Sequence, residues 1–353
     1  MSPQQNIIRD SHYVPEAVLK RWSLDGTRVF AHQLLVPDDR VPEWELRGIR
    51  SIARQRDLYT IFSGGKERDD FEKWLNVEFE DRGIEAINRL VNGSRLTEED
   101  WRRMILFVAA QDLRTPQSYI EMMERWRRTL PDLLSRTMRE STRQLEEARD
   151  QGIMLTAPPV DNEFAGLLKV TVEPSDDQAS GKSTLRSELS VGRRLWIASL
   201  RHLLTGIANT LCSHRWSVAE PANGFEWPLT DHPVLRLNYN GPHDYNFHGG
   251  WGQCGTEIMM PVSPRHLLYV QVGKKCDNRL TLSPDKTKMI QGFFIKRAHC
   301  WVFATRPQDW VSQVKQRIVD RGTFLRLKKE WQEFHRDQVQ SETSADSEDI
   351  PPE

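Results

Sequence analysis

Segments with strand character lie toward the two ends of this chain, and segments with helical period lie between them. The alternating strand–helix order that a parallel doubly wound sheet requires is missing. Short apolar runs suited to strands occur at 29–34 and 58–62, and again at 225–229, 234–237, 257–260, 267–272 and 300–304. The prediction is an α+β fold: a helical middle packed on a mainly antiparallel sheet built from the C-terminal part, with the N-terminal strands joining it.

The helical middle has its own signals. Phe71, Leu75, Phe79, Ile84, Ile87 and Leu90 recur at spacings of three to five, predicting a helix over 68–92 that Asn92-Gly93 ends. Thr97 with Asp100 three residues on reads as a helix cap. The helix it opens carries the uncharged turn Val108-Ala109-Ala110, expected to be buried on several sides. From 117 to 150 Arg and Glu alternate at helical offsets, the pattern of a solvated face laced with ion pairs. Pro131 is expected to kink that stretch or start a new helix. Apolar residues from Leu195 to Leu211 predict a core helix over 193–216, which with 101–114 supports the sheet. Residues 290–297 suit a helix or a strand. A last helix is expected over 310–338.

For organisation, one integrated domain is expected over 1–335, with a helical excursion at about 117–190. That excursion contains a linker rich in Pro158-Pro159 and Asp176-Asp177, and one strand around 167–172. Residues 336–353 read as a disordered acidic tail, with too few apolar side chains to fold.

Composition excludes several classes. The 353 residues hold 49 Lys and Arg against 50 Asp and Glu, so no overall basic excess marks a nucleic-acid coat. No apolar run approaches the roughly 20 residues that span a bilayer. Met1 to Asp10 is polar and lacks a secretory apolar stretch, so a reducing cytoplasm is the expected location. Four cysteines without metal spacing fit that compartment as free thiols. No cofactor motif is present; a divalent ion on Asp231 with His232 is the one metal option. Several of the 12 tryptophans sit beside charges, as in Arg125-Trp126-Arg127. They read as anchors of helix faces, or as stacking platforms for bases.

Four polar segments ask for a reason: His12-Tyr13-Val14-Pro15, Gln111-Asp112-Leu113-Arg114-Thr115-Pro116, Thr230-Asp231-His232-Pro233-Val234 and Met260-Pro261-Val262-Ser263-Pro264. In this order, with Trp216 and the closing Ala298-His299-Cys300-Trp301-Val302-Phe303-Ala304, they resemble the domain of unknown function 4238 family. The likeness runs from near residue 10 to near residue 305. It departs at His232, where that family more often has Asn. It implies a bacterial-type soluble protein, one integrated α+β unit and no assigned reaction.

The chemistry of the segments is read from the residues. His12 titrates near neutrality and suits a general acid or base. Asp231 would orient it. Arg114 would complete the catalytic group by holding a phosphate or carboxylate. Gln111, one helical turn from Arg114, together with Tyr13 and His232, is assigned to substrate contact. Together they would make an enzyme for a phosphate-bearing substrate, nucleic acid or small molecule, acting as a nuclease-like hydrolase. Two other readings stay open. In one, the chain is a non-catalytic binding module, with Arg114 and Asp231 as one buried ion pair and Asp231 capping a turn. In the other, it binds nucleic acid without chemistry. The glycine-rich loop around Trp251 reads as a solvated hairpin connection or a mobile flap.

Overall fold

The computed structural model describes residues 7–154, 167–174 and 183–347. The chain divides into two compact units. One is built from Met1–Thr60, Asp69–Ser118 and Leu200–His335, the other from Ile61–Arg68, Tyr119–Ser199 and Arg336–Glu353. This differs from the single unit ending at 335 that the sequence suggests. The segments Pro158-Pro159 and Asp176-Asp177, like 348–353, lie outside the described residues.

In the first unit, N-terminal strands do join a C-terminal one. The order is Leu229–Thr230, Trp301–Ala304, Arg28–Gln33, Glu45–Gly48, all antiparallel. Val302 and Phe303 are fully buried, so this central strand is covered on both faces. A second, six-stranded sheet runs Asp244–Asn246, Leu235–Gly241, Glu257–Ser263, His266–Gln271, Ser217–Glu220, Arg279–Thr281, with one parallel pair at its end. Helix Pro284–Arg297 lays Ile290, Phe293 and Phe294 on Leu235, Leu237, Met259 and Leu267 of that sheet. Each such side chain contributes about 1.5–3 kcal/mol by burial. Its start is marked in the sequence. The Ser283 hydroxyl accepts from the Lys286 N–H, and Pro284 opens the first turn.

The predicted cap is present: Thr97 and Asp100 form a reciprocal capping box for helix Glu98–Leu113, buried almost continuously from Met104 to Leu113. Gly83 permits the crossing of its neighbour. A Cβ there would lie 2.5 Å from Phe107 Cβ. The expected helix over 68–92 is interrupted by a π-helical turn, Asn76–Asp81, between Asp70–Leu75 and Arg82–Val91. The helix expected over 193–216 likewise carries a π turn at Leu203–Ile207 and ends at Cys212.

The second unit holds most of the long helix Pro116–Asp150, which passes through Pro131 unbroken. Pro131 is exposed, so the carbonyl it leaves unpaired can be hydrated. Trp126, Leu130 and Leu189 pack on Leu167, Leu195 and Ala198. Strand Leu168–Pro174 pairs antiparallel with Ser183–Leu189. The terminal helix Arg321–Ser347 carries part of the expected tail. There the buried Arg193 grips Glu342 through Nε (3.1 Å) and Nη2 (2.7 Å), and Glu342 also accepts the Phe62 N–H at 2.8 Å.

Candidate functional site

The first unit brings three of the four polar segments to one interior region. Strand Asp10–His12 pairs with Arg54–Arg56, and the chain then bends toward Pro15. Ala53 adopts a left-handed backbone (φ 49°), and its carbonyl receives the N–H of Tyr13 at 3.0 Å and of Val14 at 3.5 Å. A non-glycine residue held there costs about 1–3 kcal/mol, which the two hydrogen bonds accepted by its carbonyl help offset.

Arg114 ends the capped helix and is 2% exposed. Its Nη1 donates to Glu80 Oε2 at 2.7 Å and its Nη2 to the His12 carbonyl at 2.6 Å. Nε reaches the Tyr59 hydroxyl at 3.4 Å, and that hydroxyl donates to the Arg114 carbonyl at 2.5 Å. Burial works against the guanidinium charge, but Tyr59 and Glu80 outweigh it and hold the group more firmly protonated than usual. Burial pushes the Tyr59 phenol up to about 12. Beside them Glu72 accepts from Ser11 Oγ at 2.7 Å, and burial pushes its carboxyl up to about 7. Each of the three Arg114 nitrogens already has a partner inside the protein, and at 2% exposure the guanidinium is closed to a phosphate arriving from solvent.

Asp231 is 5% exposed. Its two oxygens accept the backbone N–H groups of His299 (2.9 Å) and Cys300 (2.5 Å), and its own N–H donates to the Trp301 carbonyl at 3.1 Å. Burial raises its carboxyl above the ordinary range, with those two N–H groups opposing. It therefore caps the turn that feeds strand Trp301–Ala304. The expected Arg114–Asp231 ion pair is corrected. Arg114 pairs with Glu80, because Asp231 spends its acceptors on adjacent amides.

His232 is buried. Its Nδ1 lies 2.8 Å from Thr115 Oγ1 and its Nε2 3.1 Å from Arg297 Nη2. Arg297 can only donate, so Nε2 accepts and Nδ1 carries the proton toward Thr115. Gln111 is fully buried, and neither carboxamide atom has a hydrogen-bond partner among the described residues. Tyr13 is buried; burial lifts its phenol well above the usual range, and Asp231 and Cys300 add to this. Trp251 also faces inward, its Nε1 donating to Asp112 Oδ2 at 2.8 Å, so the glycine-rich loop is tied down rather than free as a flap.

His12 alone of the proposed catalytic three keeps a partly open side chain, 18% exposed, with Nε2 3.8 Å from Glu16. Burial lowers its imidazole, Glu16 opposing. The cations around it are engaged: Lys20 and Arg50 each lie 4.0 Å from Glu16, and Arg54 lies 3.0 Å from Asp10. The structure thus joins the His12 backbone to Arg114, and Thr115 to His232. Among the described residues the Asp231 carboxylate bonds neither His12 nor Arg114.

The sequence reading missed Tyr59, Glu72 and Glu80. A signal for Glu72 existed, since it stands three residues before Leu75 on the apolar side of a predicted helix. A recess of about 260 Å³, open solvent included, lies elsewhere, lined by Trp44, Glu226, Trp227, Thr305, Gln308 and Trp310 among others. None of the six candidate residues lines it. No group of three or more His, Cys, Asp or Glu among the described residues could hold a metal ion, and no described helix is long and apolar enough to cross a membrane.

The sequence profile of a family described as Protein of unknown function (DUF4238) matches residues 11–308. No curated protein and no solved structure matches the chain.

Proposed function

Because the chain belongs to the DUF4238 family, whose description assigns no reaction, we propose a reading from the geometry alone: a non-catalytic binding module whose polar motifs are internal fastenings. The observation that carries it is the use of the guanidinium of Arg114. All three of its nitrogens are turned to Glu80, the His12 carbonyl and Tyr59, under near-complete burial. A group that anchors a phosphate must be open to it, and this one is 2% exposed. Asp231 supports the same reading, since an orienting carboxylate would face the imidazole and this one faces backbone amides.

The two readings part on one variant. Asp231→Asn exchanges one acceptor oxygen for a donor facing an amide. It is expected to lower Tm by several degrees. Bis(p-nitrophenyl) phosphate and single-stranded DNA, with Mg²⁺ or Mn²⁺, should show no turnover that depends on this residue. Turnover by the full chain that disappears in Asp231→Asn while Tm stays put would overturn the fastening reading and restore the hydrolase.

A further inference from the structure

The hairpin of the second unit has an edge with no partner strand among the described residues. Leu168–Pro174 pairs with Ser183–Leu189 on one side only. The Ser190 N–H donates to the Leu167 carbonyl at 2.8 Å, in register with Leu168 opposite Leu189. Backbone direction alternates along a strand. Residues 169, 171 and 173 therefore turn their polar groups to the hairpin partner, and Leu168, Val170 and Val172 turn theirs to the open edge. The side chains of these three are also exposed, by 48%, 48% and 61%. Leu185, opposite Val172, continues that apolar face. The other face carries Lys169, Thr171 and Glu173, with Arg186 3.9 Å from Glu173 and 2.8 Å from Glu188.

An exposed edge rich in β-branched residues is a template for another strand, and a lone two-stranded hairpin is marginal in water. The sequence of the edge selects the strand. Lys169-Val170-Thr171-Val172-Glu173 is its own antiparallel complement. Laid against a reversed copy, Lys169 meets Glu173, Val170 meets Val172, and Thr171 meets itself. Opposite charges, paired β-branched residues and paired threonines all favour cross-strand contact. The backbone agrees with this register. With Thr171 on a two-fold axis, Val170 and Val172 meet as hydrogen-bonded pairs, and theirs are the amides that face outward. Any shifted register loses both charge pairs.

We infer that the open edge of Leu168–Pro174 pairs with the same strand of a second copy of the chain. The result is a two-fold dimer with a four-stranded sheet across it and a continuous apolar stripe on one face. This stands on the hairpin and does not depend on the reading of Arg114.

Sedimentation equilibrium of the full chain tests it. The chain should dimerise with concentration. Lys169→Glu or Glu173→Lys should each weaken self-association by about tenfold, because each sets like charges opposite at two symmetric places. Mixing the two single variants should restore association, as should the double variant. Val172→Pro removes an outward amide and no bond to the hairpin partner, so it should give a folded monomer by circular dichroism. A chain that stays monomeric overturns the inference, whatever else then proves to occupy the edge. So does a dimer indifferent to charge reversal, or a mixture of single variants that fails to associate.

Discussion

Two arginines, Arg114 in one unit and Arg193 in the other, are almost fully removed from water, yet they are satisfied in different ways. Arg114 divides its donors among a carboxylate, a carbonyl and a phenol, and its carboxylate partner Glu80 remains 22% exposed. Arg193 meets Glu342 with two nitrogens on two oxygens, and Glu342 is itself buried. The lesson concerns what each would leave behind. A partner that can reach water recovers part of its hydration; a sealed one cannot.

The largest effect is therefore expected at Arg193→Ala. It strands Glu342 and should cost about 5 kcal/mol in urea unfolding, the upper end for a broken buried pair. Arg114→Ala should cost about 3–4 kcal/mol, with Glu80 rehydrated and the His12 carbonyl left unpaired. Equal losses at the two sites would break the comparison.

A smaller and pH-dependent effect belongs to Glu72, beside Arg114. Its carboxyl titrates near 7 in the folded protein against 4.5 when unfolded. The folded state thus binds an extra proton between these values. The stability tied to it is complete below about pH 4.5 and is lost as pH rises through about 7, a loss of about 3 kcal/mol. Glu72→Gln should remove that slope in denaturation measured from pH 5 to pH 8. A slope that persists in the variant would assign it to another group.

The pairing of chain ends was readable because strand character clustered there, and Thr97 with Asp100 announced its helix. Residues 225–229 looked like a strand, but of these only Leu229 pairs, in the two-residue strand Leu229–Thr230. The Trp227 N–H goes to the Pro264 carbonyl, and the Phe225 N–H to the Ala222 carbonyl. Of the segments singled out in the sequence, the His12 carbonyl meets Arg114 and Thr115 meets His232, while the Asp231 carboxylate turns to the amides of His299 and Cys300. The chemistry of these segments was not readable, because a buried fastening and a catalytic group use the same residue types. Glu342 was hidden for a different reason. It sits in a stretch whose average composition reads as unfolded, while one carboxylate there has a buried partner far along the chain.

The π turn at Asn76–Asp81 has a consequence for this balance. In an unbroken α-helix, Glu72 and Glu80 would stand roughly 80° apart around the axis. The wider turn winds less per residue and swings both carboxyls toward the same guanidinium. A regular α-helix over these same residues would rotate Glu80 away from Arg114. Local order and the integrity of the whole therefore pull against each other here, and the irregular turn is the side the fold has taken.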